Sequence, residues 1–148
     1  MQWYVAFVAT ILAHIRVKPG TANRFEDVAR KLYAETHANE SRVRRYEYWR
    51  GSEENTYYTL LSFDSFVGFM EHQTSDHHES ASPSLGPIMA GLRLEWVDPI
   101  GDSSPLEPTN HEDLPADAND LMLLYGQRFA PDVAGWWMPL RRTESSPE

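Results

Sequence analysis

Three histidines crowd one short stretch of the chain, His72, His77 and His78, with Asp76 and Glu79 among them. Imidazole titrates near working pH, so each could take a proton from a phenol or hold the anion that results. His72 follows Phe69 and Met70 by about one helical turn, which sets it at the edge of an apolar stripe and lets it point into a pocket. His77 and His78 fall where a second helix would begin. The positive end of a helix favours the neutral ring, the form that suits a base or a hydrogen-bond partner. A metal site built on His72, Asp76, His77, His78 and Glu79 would have suitable ligand types. The spacing is untidy, however, because a helix break between His72 and Asp76 parts two residues that would otherwise share a face, and no bound metal is expected.

A second group of candidates lies on an aromatic strand. In the run Val43 to Arg50, alternation puts Tyr46, Tyr48 and Arg50 on one face and Arg45, Glu47 and Trp49 on the other. A tyrosine hydroxyl aimed into an apolar pocket can fix a substrate oxygen, and a guanidinium can hold an oxyanion. The competing reading of the same residues is cross-strand aromatic pairing with a salt bridge at the rim. Trp96 and Phe69 are further candidates for the wall of a pocket holding a planar ring, with Trp3 beside them. The expected catalytic set is His72, His77 and Tyr46; the expected substrate-binding set is Tyr48, Trp49, Arg50, Phe69 and Trp96.

The elements that must carry these residues follow from periodicity. Trp3 to Val17 is rich in β-branched and aromatic side chains and stops at Pro19-Gly20, which predicts a strand. From Thr21 to His37, apolar residues recur every three or four positions, the mark of a helix packed on a sheet. Val43 to Arg50 and Thr56 to Phe63 are alternating runs joined by a short polar loop, a hairpin. Asp64 or Ser65 can cap a helix with Phe66, Phe69, Met70 and Gln73 on related faces, and Ser75 or Asp76 a second one, with Glu79 placed as in a capping box. Pro83, Gly86 and Pro87 are expected to break that second helix, and Gly91 to Val97 forms the last strand.

The order β, α, β, β, α, β is that of the ferredoxin-like α+β fold, an antiparallel sheet with helices on one face. The other face, if lined by Trp3, Tyr4, Phe7, Tyr46, Tyr48, Trp49, Tyr57, Tyr58 and Trp96 from both sides of the pleat, would need a partner, so a homodimer is expected. Residues 1–99 are thus read as one α+β domain. Residues 100–120, of which 101–120 hold three prolines, six acidic residues and no Lys or Arg, read as a solvated linker. Residues 121–148, with Trp136 and Trp137, read as an extension packed on the domain or on a partner.

Several stretches, taken in order, resemble the antibiotic-biosynthesis monooxygenase family. They are Ile15 to Gly20 ahead of a helix with Phe25, then Arg45-Tyr46-Glu47-Tyr48, then Tyr57 to Phe63 followed by Asp64-Ser65, and last Phe69 to His77 with its spacing of His72, Ser75 and His77. The resemblance spans residues 5 to 98. It implies a dimeric α+β barrel with a pocket between helices and sheet, and often an oxidation of phenolic or quinol-type aromatics by molecular oxygen that needs no cofactor. Isomerases and members without assigned chemistry share the scaffold, so a non-oxidative enzyme and a ligand-binding module are the alternatives. Where the family often has a glutamate and a tryptophan on its third strand, this chain has Leu61 and Phe63. The Asn, Trp and His of the haem-degrading branch are matched by Ala13, His72 and Ser82, which disfavours haem.

Composition narrows the rest. The chain of 148 residues has room for about one domain, and with no cysteine it has neither disulfides nor thiolate chemistry. A formal charge of −9 speaks against nucleic acid or an anionic membrane as partner. The apolar opening is well short of the roughly 20 residues that cross a bilayer and has no basic residue ahead of it, so a cytoplasmic location is expected. No glycine-rich nucleotide loop or serine-centred elbow is present, so flavin and nicotinamide are not indicated.

Overall fold

The computed structural model describes residues 8–145, and side chains from 8 to 141. Four strands form one antiparallel sheet: β1 (Ala9–Val17), β2 (Val43–Arg50), β3 (Thr56–Phe63) and β4 (Met89–Trp96). Their order across the sheet is β2-β3-β1-β4, the ferredoxin-like arrangement that the element order predicts. The helices are α1 (Ala22–Asn39), α2 (Phe66–Gln73), α3 (Asp76–Leu85), α4 (Asp120–Arg128) and α5 (Trp137–Ser145). The expected start of the first strand, with Trp3, Tyr4 and Phe7, lies outside the described residues.

Local signals place the helices. On α1, Phe25, Ala29, Leu32 and Thr36 are buried at the spacing of one helical stripe. Ser65 caps α2 by accepting a hydrogen bond from the Gly68 N–H at 3.0 Å. Ser75 caps α3 in the same way through the His78 N–H at 3.3 Å. The capping box expected from Glu79 is absent; its carboxylate instead accepts the Tyr125 hydroxyl of α4 at 2.9 Å. Pro83 does not break α3 either. It stands in the last turn, where it forfeits one backbone bond, and a short 3₁₀ turn over Gly86–Ile88 then leads into β4.

The core fills the space between sheet and helices, with Ile11, Ala13, Leu61, Phe63, Phe66 and Met70 among its buried members. The register sets Ile11, Ala13 and Ile15 of β1 toward the helices, and Leu12 and His14 toward the other face. Tyr46, Tyr48, Tyr57 and Trp96 all pack with the helix-side core, so the open face is less aromatic than composition suggests. It carries Trp49 and Tyr58, neighbours across β2 and β3, and Leu60 beside Leu12 across β3 and β1. His14 with Glu95, and Arg45 with Glu47, edge it with ion pairs.

Residues 100–120 lie against the domain. Thr109 is fully buried and pairs in parallel with Val8 at the end of the sheet. Its hydroxyl donates to the Val97 carbonyl at 2.6 Å and accepts from the Thr10 N–H at 3.3 Å. Arg141 of α5 binds the Asp98 carboxylate and donates to the Thr109 carbonyl at 2.8 Å. Asn119 caps α4, which packs on α2 with Phe129 against Phe69. Small and polar side chains of low hydropathy do this tethering, so composition alone reads the stretch as solvent-borne.

Candidate active site

Glu40 stands at the point where α1 gives way to extended backbone, its N–H bonded to the Thr36 carbonyl at 2.9 Å. His72 sits in the last turn of α2 and His77 in the first turn of α3. Ser75, between them, donates its hydroxyl to the His72 carbonyl at 2.7 Å and so folds the two helices back on each other. One carboxylate oxygen of Glu40 lies 2.8 Å from His72 Nδ1 and 2.5 Å from His77 Nε2. The His72 side chain is 1% exposed, and Glu40 and His77 are each 11%.

Burial pushes the Glu40 carboxyl toward protonation, but the hydrogen bonds from His72 and His77 outweigh it and hold the group below the usual carboxylate range. An ionised carboxylate only accepts hydrogen bonds. Both facing ring nitrogens therefore carry protons, which leaves Nε2 of a neutral His72 as its proton-accepting atom. The His72 ring is held by edge contacts to Tyr46 and His78, both 5.0 Å between centroids, and by the tilted Phe63 ring at 5.2 Å.

Tyr46, buried in the core, shares a 2.6 Å hydrogen bond with the Tyr48 hydroxyl. Burial, the neighbouring Tyr48 and the Glu40 charge keep the Tyr46 phenol protonated far above its ordinary value. Burial likewise pushes Tyr48 up to about 12. Tyr48 in turn lines a groove of about 720 Å³ between α1 and the hairpin of β2 and β3, walled by Phe25, Ala29, Tyr33 and Tyr57. Trp49, from the opposite face of this edge strand, contributes to the groove's rim, while its indole N–H donates to Glu47. Arg50 is engaged by Glu26 through two hydrogen bonds of 2.7 and 2.9 Å. Arg50 and then the Tyr57 hydroxyl hold the Glu26 carboxyl down to about 2.

The residues singled out from sequence thus fall into three places. His72, His77 and Tyr46 form the buried polar cluster, and Tyr48, Trp49 and Arg50 line the aromatic groove that adjoins it. Phe69 and Trp96 lie apart, stacked edge-on at 5.4 Å under α4 and next to Phe129. Glu40, the carboxylate that joins the two histidines, has no sequence signal of its own; it follows the last apolar turn of α1 and meets His72 only through the fold. Asp76, nearer in sequence, stands in the first turn of α3, and Glu79 is turned to α4.

A sheet of this order with helices packed on one face and an aromatic groove at the helix–sheet boundary defines a ferredoxin-like α+β domain. Residues 9–83 match the family model described as antibiotic biosynthesis monooxygenase, and the chain belongs to that family. A candidate antibiotic biosynthesis monooxygenase from Caulobacter crescentus is 30% identical over 66% of this chain and 93% of its own, with a TM-score of 0.61. Protein Rv0793 of Mycobacterium tuberculosis shares the fold at 14% identity, over 66% of this chain and 99% of its own, with a TM-score of 0.59. PA3566 of Pseudomonas aeruginosa does so at 18% identity, over 64% and 96%, with a TM-score of 0.59. No curated protein matches the chain. Among the described residues, no helix is long and apolar enough to cross a membrane.

Proposed function

We propose that this protein oxidises a phenolic or quinol-type aromatic, with a polycyclic anthrone as the model substrate, using molecular oxygen and neither haem nor flavin. The observation that carries the reading is the adjacency of an aromatic groove, a paired tyrosine and a carboxylate-held histidine. A planar ring system fits a groove of this volume, and its hydroxyl would meet the Tyr48 phenol. His72, fixed by Glu40 and in edge contact with the Tyr46 ring, is the base proposed for the substrate's acidic proton. The electron-rich anion then reduces oxygen directly. One oxygen atom ends as the new ring carbonyl and the other leaves as water, while the ring methylene supplies the hydrogens.

Oxygen uptake and quinone formation, measured with a panel of anthrones and hydroquinones on metal-free protein, test this. Turnover is expected without added cofactor and should fall about 10²- to 10⁴-fold in His72→Gln, the range associated with a positioned base. No uptake with any of the panel overturns the reading. Substrate converted equally well without oxygen, to an isomer and not to a quinone, would show a non-oxidative isomerase on the same site.

The family's dimeric barrel is proposed for this chain as well, in the cytoplasm, with the open sheet faces meeting. Light scattering should then give twice the chain mass, and Tyr58→Asp, which sets a charge beside Trp49 and His14, should give the monomer.

A further inference from the structure

We propose that Glu40, His72 and His77 form a binding site for a divalent first-row transition-metal ion. One ligand atom from each lies within 4.8 Å of the other two. Two imidazoles and a carboxylate suit zinc, cobalt or iron better than calcium or magnesium, which favour all-oxygen shells. Bonds of about 2.0–2.2 Å in a tetrahedral site separate the donor atoms by about 3.4 Å, so the carboxylate need only draw back by less than about an ångström.

Glu40 and His77 also stand on the wall of a second cavity, of about 760 Å³, between α1, α2 and α3. That side offers entry for the ion and room for water in its remaining position. Lys31 and Arg42, the cations lining this cavity, are already engaged by Glu35 and Glu71. Ring contacts from Tyr46, Phe63 and His78 fix the plane of the His72 imidazole.

Metal and substrate base exclude each other. With Nδ1 of a neutral His72 on the metal, the remaining ring proton sits on Nε2, which then has no lone pair to offer. This kinetic consequence rests on the function proposed above; the binding does not.

The test is a titration of chelator-stripped, untagged full-length protein with Co²⁺, followed by visible absorption and by calorimetry. One ion per chain is expected, with the visible bands of a four- or five-coordinate site. Affinity should drop about 100-fold or more in Glu40→Gln and in His77→Gln, since even an outer-shell partner is worth 10- to 100-fold. Both side chains reach the cavity wall, and circular dichroism with thermal melting shows whether each variant is folded. Absent binding, or binding that a folded variant leaves unchanged, overturns the site. In oxygen-consuming protein, Co²⁺ or Zn²⁺ should abolish uptake in step with occupancy. A protein with no uptake but with Glu40-dependent cobalt bands would refute the oxidation and keep the metal site.

Discussion

Glu40→Gln is expected to cut kcat for quinone formation about 10²- to 10³-fold while leaving KM within about threefold, because the residue orients the base and touches no wall of the aromatic groove. The amide keeps the size of the carboxylate but loses the charge that strengthens the two bonds accepted by one oxygen at 2.8 and 2.5 Å. His72 is then less firmly held in the tautomer with its proton on Nδ1, the condition that leaves Nε2 free. Loss of charge assistance in two buried hydrogen bonds costs about 1–3 kcal/mol in stability as well. The pH dependence separates this from a merely structural effect. Glu40 has a lowered pKa in the folded state, so it stabilises the fold above the unfolded value near 4.5 and ceases to do so as pH falls through the folded one. Urea midpoints of the wild type and the variant should therefore differ at pH 7 and converge in acid. A parallel offset at all pH values, or a loss in KM instead of kcat, would show that Glu40 does not act through the histidines.

The elements were legible in the sequence because each is stated locally. Phe25, Ala29 and Leu32 repeat at helical spacing, the two aromatic runs alternate, and Ser65 and Ser75 mark helix starts by a chemistry confined to three residues. What local pattern does not state is which distant groups the fold joins. Glu40 is one acidic residue among several in α1 and its exit, and nothing near it in sequence distinguishes it from Glu35. Only the return of α2 and α3 beside the end of α1 brings His72 and His77 to it. The same limit separates Phe69 and Trp96 from the groove. Both are large aromatics at plausible positions, but the segment after β4 covers them, and Phe129 in that segment is the reason. Alternation likewise counted the aromatics on the strands without saying which face of the sheet each pair would share.

His78 gives a large expected effect of pH on stability in the mildly acidic range. It is packed against the His72 ring at 5.0 Å, with its Nδ1 buried and lacking a hydrogen-bond partner. Burial first, and then the charges of His72 and His77, push its pKa down to about 4 from the ordinary 6.5. Above pH 6.5 neither the folded nor the unfolded chain protonates this ring, and it contributes nothing to the pH dependence. Between 6.5 and 4 the unfolded chain takes up a proton that the folded one refuses, so stability falls as the solution is acidified. At 1.36 kcal/mol for each pH unit, the loss reaches about 3 kcal/mol at most. This window lies above the one in which Glu40 and Glu26 take up protons, both having lowered values, so the two can be told apart in a single series. Chemical denaturation of the wild type from pH 7 to pH 4 should show a decline beginning near 6.5, and His78→Leu should flatten it down to about pH 4.5. The variant also removes the unpartnered nitrogen, so it should not be less stable than the wild type at pH 5. An unchanged slope between pH 6.5 and 4.5 would mean that His78 accepts its proton within the fold, and that the three histidines tolerate more charge than their packing implies.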